Sequence, residues 1–141
     1  MSFQLLENAI VVRVLVDVET DRDGAAIEGD WVSLRDYNEC TILIQAGALG
    51  ADIVWQIEQA TTNTGTSKKD VVGKTVSHIN GTDEGVLKTL QVRGEELDVD
   101  GGFDFIRLQA PDPGTAATFA AATYILTNPR FAQATMPDPT S

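Results

Sequence analysis

Ile53-Val54-Trp55-Gln56-Ile57-Glu58 is the stretch on which the reading of this chain turns. Successive side chains of an extended backbone point to opposite faces, so Ile53, Trp55 and Ile57 share one side and Gln56 and Glu58 the other. No window of a dozen residues sustains the competing 3.6-residue apolar stripe of a helix. Working outward, the same two-residue period returns in short runs rich in Val, Ile, Thr and aromatics, as strands prefer. Upstream lie residues 40–45, the brief Trp31-Val32-Ser33-Leu34, and residues 10–16, a β-branched run interrupted only by Arg13. Downstream lie residues 75–79, 86–92, 103–109 and 119–126. The best helix candidate, the Ala-rich stretch 115–122, carries Thr115 and Thr118 and runs into Thr123-Tyr124-Ile125-Leu126, so a strand is expected there too.

The separators agree. Asn80-Gly81 is a favoured hairpin dipeptide because both residues tolerate positive φ. Asp23-Gly24, Asp100-Gly101-Gly102 and Pro113-Gly114 mark further reversals. The expected fold is all-β: an antiparallel β-sandwich or jelly-roll-like domain of about eight short strands with extended termini. An open sheet would need helices over its second face, and the sequence offers none. Residues 1–9 are expected to form an N-terminal arm, 10–127 a single β domain, and 128–141 a C-terminal arm. In the last of these, Pro129, Pro137 and Pro139 oppose regular ladder pairing.

Composition narrows the function. The chain has 141 residues, 43% of them hydrophobic, enough for one core and too few for two comfortable domains. Ten Lys and Arg against 21 Asp and Glu leave a net charge of −11. That balance argues against a nucleic-acid partner, which needs a basic surface, and against docking on anionic lipid. The longest apolar runs are too short for a membrane span, and Met1-Ser2-Phe3-Gln4 does not open a secretory signal. Cys40 is the single cysteine, so no disulfide framework or paired-cysteine metal site is expected. An acidic, soluble, cytoplasmic domain is the expectation.

Several clusters invite chemistry. Counted from Glu19, acidic residues fall at positions 1, 3 and 5 (Glu19, Asp21, Asp23), with Gly24 at position 6 and Asp30 at position 12. Such alternation lets a turning backbone aim every second carboxylate at one calcium ion. Glu at the first position and the short Asp at the last depart from the pattern, and a solvated acidic turn explains it equally well. A second acidic turn holds Glu95, Glu96, Asp98, Asp100 and Asp104, among which a carboxylate pair could in principle act as acid and base. His78 is the only histidine and adjoins Ser77. Neighbouring strand side chains diverge, which makes a surface or half-buried strand histidine the better reading than a nucleophile's base. Gly73-Lys74-Thr75 lacks the upstream glycine of a phosphate loop, Lys68 standing in its place. Asn80-Gly81-Thr82 meets the glycosylation pattern formally, but the turn accounts for it. Cys40 reads as a small core residue and Trp55 as core, while Trp31, beside the acidic loop, is the better exposed anchor. Phe131 and Met136 are the apolar residues that the C-terminal arm could place on a neighbour.

One resemblance reaches further. Gly29-Asp30-Trp31-Val32-Ser33-Leu34-Arg35-Asp36-Tyr37, then Cys40-Thr41-Ile42-Leu43-Ile44-Gln45, then Gln59-Ala60-Thr61 resembles small proteins encoded among the head genes of tailed bacteriophages. The match spans about residues 10–75. It carries no catalytic residue. It implies a virion structural protein: a capsid decoration (cement) protein on the outside of the head that bridges capsomers, or a minor head–tail or tail component. The implied partner is the major capsid protein, the implied location the capsid surface after synthesis in the host cytoplasm, and the implied state a homo-oligomer, a trimer being one candidate. Two other classes stay open: a calcium-dependent, lectin-like binding module using Glu19, Asp21, Asp23 and Asp30, and an enzyme built on Asp98, Asp100 or His78.

Overall fold

The computed structural model describes residues 9–15, 25–114 and 117–130. Nine strands lie among them: β1 (Ala9–Leu15), β2 (Ile27–Glu28), β3 (Val32–Ser33), β4 (Tyr37–Ala46), β5 (Ile53–Ala60), β6 (Lys69–His78), β7 (Leu87–Arg93), β8 (Phe105–Ala110) and β9 (Ala120–Pro129). A single 3-10 turn, Gly94–Glu96, follows β7. All eight expected strands are present, and of the Ala-rich stretch residues 120–122 belong to one of them, β9, while 117–119 precede it. β2 is the addition.

The strands form two sheets, one in the order β1-β9-β4-β7 and the other β2-β8-β5-β6, with β3 also on β8. Every pairing is antiparallel. β2 and β3 are one interrupted strand. Ile27 and Glu28 sit opposite Ala110 and Gln109, and Val32 and Ser33 opposite Ile106 and Phe105. Between them Gly29 N–H still donates to the Leu108 carbonyl at 2.8 Å. The pairings therefore nest: β1 with β9, β2/β3 with β8, β4 with β7, β5 with β6. This is one long hairpin, its tip at residues 61–68, rolled so that its paired arms fall alternately in the two sheets. Pairing of β4 with β9 and of β5 with β8 then joins the arms into sheets. That wrapping is a jelly roll.

The core lies between the sheets, where the two-residue period puts it. Cys40, Ile42, Ile44 and Ala46 of β4 and Ala122, Tyr124 and Leu126 of β9 face Ile53, Trp55 and Ile57 of β5 and Ile106 and Leu108 of β8, all buried. Each large apolar side chain removed from water contributes about 1.5–3 kcal/mol. Tyr124 also links the layers by hydrogen bonding: its hydroxyl oxygen, on β9, accepts from the Leu108 N–H on β8.

Two turn expectations need correction. Asn80-Gly81 is a reversal, with Gly81 at φ +82° and Asp83 N–H donating to the Ile79 carbonyl at 2.8 Å. It does not close a hairpin, however, because β6 and β7 belong to different sheets and the turn crosses between them. Pro129 is the last residue of β9, opposite Tyr37, rather than outside the ladder. It lies past Thr127, which pairs with β1's first residue, so its missing N–H interrupts no bond to β1.

Candidate interaction surfaces

The outer face of the β2-β8-β5-β6 sheet carries a compact charged cluster. Arg107 on β8 and Glu58 on β5 are register partners, 7% and 8% exposed, with Arg107 Nη2 3.2 Å from Glu58 Oε2. The same nitrogen lies 3.2 Å from Glu28 Oε1 on β2. The guanidinium stacks over the Trp31 ring, 4.8 Å from its centroid. The hairpin-tip loop closes on the indole from beyond: a Cβ added to Gly65, itself at φ +82°, would come within 2.9 Å of Trp31 Nε1. Glycine is thus required there for both conformation and space. Trp31 is half-buried, braced by Arg107 and the loop, and with Gly29, Asp30 and Asn63 it lines an open cleft of about 380 Å³.

A second surface sits at the end of the sandwich where β9 finishes. Arg130 N–H donates to the Asp36 carbonyl at 2.9 Å, and its guanidinium to the Leu34 carbonyl at 3.3 Å. With Gly94 and Val99 it lines two open clefts, one polar, shared with Asn38, Glu39, Arg93 and Glu95, the other more apolar, shared with Leu34, Leu97 and Phe103. Arg35 pairs with Asp104 and lies over the Phe105 ring beside the second.

The residues singled out for chemistry are dispersed. His78 is fully buried, which corrects the expectation of a surface or half-buried position. The Trp55 indole N–H donates to His78 Nδ1 at 2.9 Å, so Nδ1 is unprotonated and Nε2 carries the hydrogen, donating to the Val86 carbonyl at 2.9 Å. Burial lowers its pKa, the charge of Lys88 adding to the effect against the Val86 hydrogen bond and Asp83. Cys40 is buried, and burial pushes its thiol far above the usual range. Asp98 pairs with Lys69 at 2.6 Å and accepts from the Gly101 N–H at 3.0 Å, contacts that hold its carboxyl below the ordinary range. Asp100 is exposed at the turn. Of the calcium candidates, Asp30 is exposed on the lip of the Trp31 cleft, while Glu19, Asp21 and Asp23 lie outside the described residues, as do Phe131 and Met136. Among the described residues no three His, Cys, Asp or Glu side chains gather closely enough to hold a metal ion. No helix among them is long and apolar enough to cross a membrane. The Arg107–Glu58–Glu28 cluster escaped sequence reading, although Glu58 on the outward parity of β5 was a usable signal.

No protein-family model matches the chain, and no curated protein matches it. Solved structures do. YomS, a protein derived from the SPBc2 prophage, superposes with a TM-score of 0.52 at 8% identity, over 86% of this chain and 94% of that one. The coat protein of Tobacco streak virus gives 0.43 at 11% identity over 94% of each chain. A family 11 carbohydrate-binding module of a Clostridium thermocellum cellulase gives 0.41 at 14% identity, over 85% of this chain and 82% of that one. The likeness to YomS is one of fold, and the two lower scores add nothing to it.

Proposed function

We propose that this chain is a structural protein of a virus particle, a capsid decoration protein that binds the outside of a phage head and bridges capsomers through its terminal segments. The observation that carries the reading is the placement of the start of β1 and the finish of β9. Ala9, the first residue of β1, pairs with Thr127, near the last residue of β9, so the start of the first strand and the finish of the last lie at the same end of one sheet on neighbouring strands. Fully extended, a segment of eleven residues spans about 40 Å and one of eight about 28 Å. Two such segments at one end can engage subunits that the globular body does not touch, and contacts available only in the assembled shell stabilise that shell by mass action. The likeness of fold to a prophage-derived protein and the resemblance of residues 29–61 to head-gene products support the same reading. The reading assigns no catalytic residue: Cys40 and His78 are buried, and Asp98 is engaged by Lys69.

The test is copy number, by quantitative mass spectrometry of purified virions against the major capsid protein. A ratio on the order of one per capsid subunit, or one trimer per local three-fold, is expected of a shell-covering protein. A few copies per particle would move it to the neck or tail, and complete absence would overturn the virion reading. Removing residues 131–141 should lower occupancy on shells while leaving the thermal midpoint of the isolated domain unchanged; equal occupancy would refute the role of the arm.

A further inference from the structure

The polar groups around the sandwich divide into those already engaged and those left open. In the clefts beside Arg130, Glu39 is held by Gln91 at 3.1 Å, Arg93 lies near Glu39 and Glu95, Asp104 pairs with Arg35, and Arg130 donates to the Leu34 carbonyl. The cleft of about 380 Å³ at Trp31 is different. Its two polar side chains, Asp30 and Asn63, are exposed and enter no hydrogen bond or ion pair among the described residues. The indole that accompanies them is held in place. Arg107 lies against one face, 4.8 Å from the centroid, and is itself fixed by Glu58 and Glu28 at 3.2 Å each. Gly65 closes on the Nε1–Cε2–Cζ2 edge, the three atoms that an added Cβ would meet at 2.9 to 3.1 Å. One covered face and one covered edge leave the opposite face, and the half-buried ring lines the cleft with what remains.

We infer that this cleft is a carbohydrate-binding site that takes a neutral sugar ring against Trp31, with Asp30 and Asn63 hydrogen-bonding its hydroxyls. The groups present match that chemistry. A flat indole face buries the C–H face of a pyranose, a large and rigid apolar contact. A carboxylate accepts hydrogens from two adjacent hydroxyls, while a carboxamide both donates and accepts, so neighbouring hydroxyls of one ring find partners of either kind. A few such polar groups beside an aromatic wall, in a cleft of this size, are the general form of a small-molecule site. Charge selects among ligands. Asp30 at the lip and the net charge of −11 disfavour an anionic sugar. A cationic ligand would have to share the ring with Arg107, whose guanidinium already draws on the π-system from the other side. Its attraction to an exposed Asp30 is screened by water and worth little. A neutral polyhydroxyl compound meets neither penalty. Because Arg107 and the Gly65 loop fix the ring beforehand, little side-chain freedom is lost on binding. The site belongs to the isolated chain, so it stands or falls independently of the virion reading; on a particle carrying many copies, weak sites of this kind add by multivalency.

The experiment follows the two indole N–H signals of the ¹⁵N-labelled full chain by nuclear magnetic resonance, the Trp31 signal being the one lost in Trp31→Phe. Maltotetraose, lactose, mannotriose and chitotriose are titrated in turn to about 20 mM, because a shallow single site binds in the millimolar range. At least one of them is expected to move the Trp31 signal saturably while that of Trp55, buried and donated to His78, stays in place. Asp30→Ala and Asn63→Ala lie at exposed positions and are each expected to weaken that binding about tenfold, with unchanged thermal midpoints. The response is expected to persist with a chelator present, since the three side chains meet the sugar directly. No saturable Trp31 shift with any of these sugars would overturn the inference. So would undiminished affinity in Asp30→Ala and Asn63→Ala, a response abolished by the chelator, or a stronger response to choline chloride than to every sugar.

Discussion

At the scale of single residues, His78 shows most directly how burial decides chemistry. Both ring nitrogens are used, Nδ1 by Trp55 and Nε2 by the Val86 carbonyl, and the ring has no accessible surface. Protonating it would put a hydrogen on the nitrogen that already faces the Trp55 N–H, so the neutral form is held and the pKa lies below 6.5. The sign follows from linkage. Below pH 6.5 the unfolded chain takes up a proton that the folded chain refuses until its own lower pKa is reached. The contribution of His78 to stability is therefore complete above pH 6.5 and is lost as pH falls through the depressed folded value. Thermal midpoints measured from pH 7.5 to 5 should drop for the wild type, and His78→Gln, though less stable at neutral pH, should show a flatter profile over that window. Parallel profiles would mean that the ring does not titrate between the two states. His78 shares strand parity with Val76, and their register partners are Ile53 and Trp55, two core residues. A polar residue on an apolar parity reads as buried only once its strand partner is known.

At the scale of elements, the alternation that identified β5 also located β4, β8 and β9 within a few residues, because an edge between core and solvent imposes a period of two on each. β2 escaped because two residues cannot display a period, and Ile27-Glu28 is strand only through its pairing with Ala110 and Gln109. β6 begins at Lys69, well before the expected residue 75, for a different reason: between the Gln56–Thr75 and Glu58–Asp70 pairs, one residue of β5 faces four of β6, and that bulge scrambles the alternation of residues 71–74. The Arg107 cluster binds β2, β5 and β8 together across this sheet, and its stability consequence belongs to the pair rather than to either residue. Truncating Arg107 to Met leaves the Glu58 carboxylate, 8% exposed, without its partner and should destabilise the fold by about 3 kcal/mol. Arg107→Met combined with Glu58→Met should be markedly less damaging than the sum of the two single changes, since no uncompensated charge remains. Chemical denaturation of the three variants measures the coupling, and simple additivity would show that the two charges are solvated independently.

At the scale of the whole molecule, sequence reading stops at the choice between a sandwich and a jelly roll, because a period of two says which face a residue takes and nothing about which strand lies beside it. The nested pairing joins Ala9 to Thr127 across nearly the whole chain, and no local signal announces such a contact. What is legible at this scale is charge. Folding gathers a net −11 from a coil with a radius of gyration of about 39 Å into a body of about 14 Å, which raises the mutual repulsion of the carboxylates. Salt screens that repulsion, the Debye length falling from about 30 Å at 0.01 M to about 10 Å at 0.1 M. It also weakens the exposed pairs Arg35–Asp104 and Lys69–Asp98, but each such pair is worth less than about 1 kcal/mol. The repulsion has the longer reach and spans more groups, so sodium chloride should raise the thermal midpoint at pH 7, most steeply below about 0.1 M. A falling midpoint would mean that the ion pairs outweigh the surplus charge. Magnesium and calcium chlorides at matched ionic strength divide screening from binding: a rise with calcium beyond that with magnesium would place a cation among Glu19, Asp21, Asp23 and Asp30, and equal curves would remove that site from consideration.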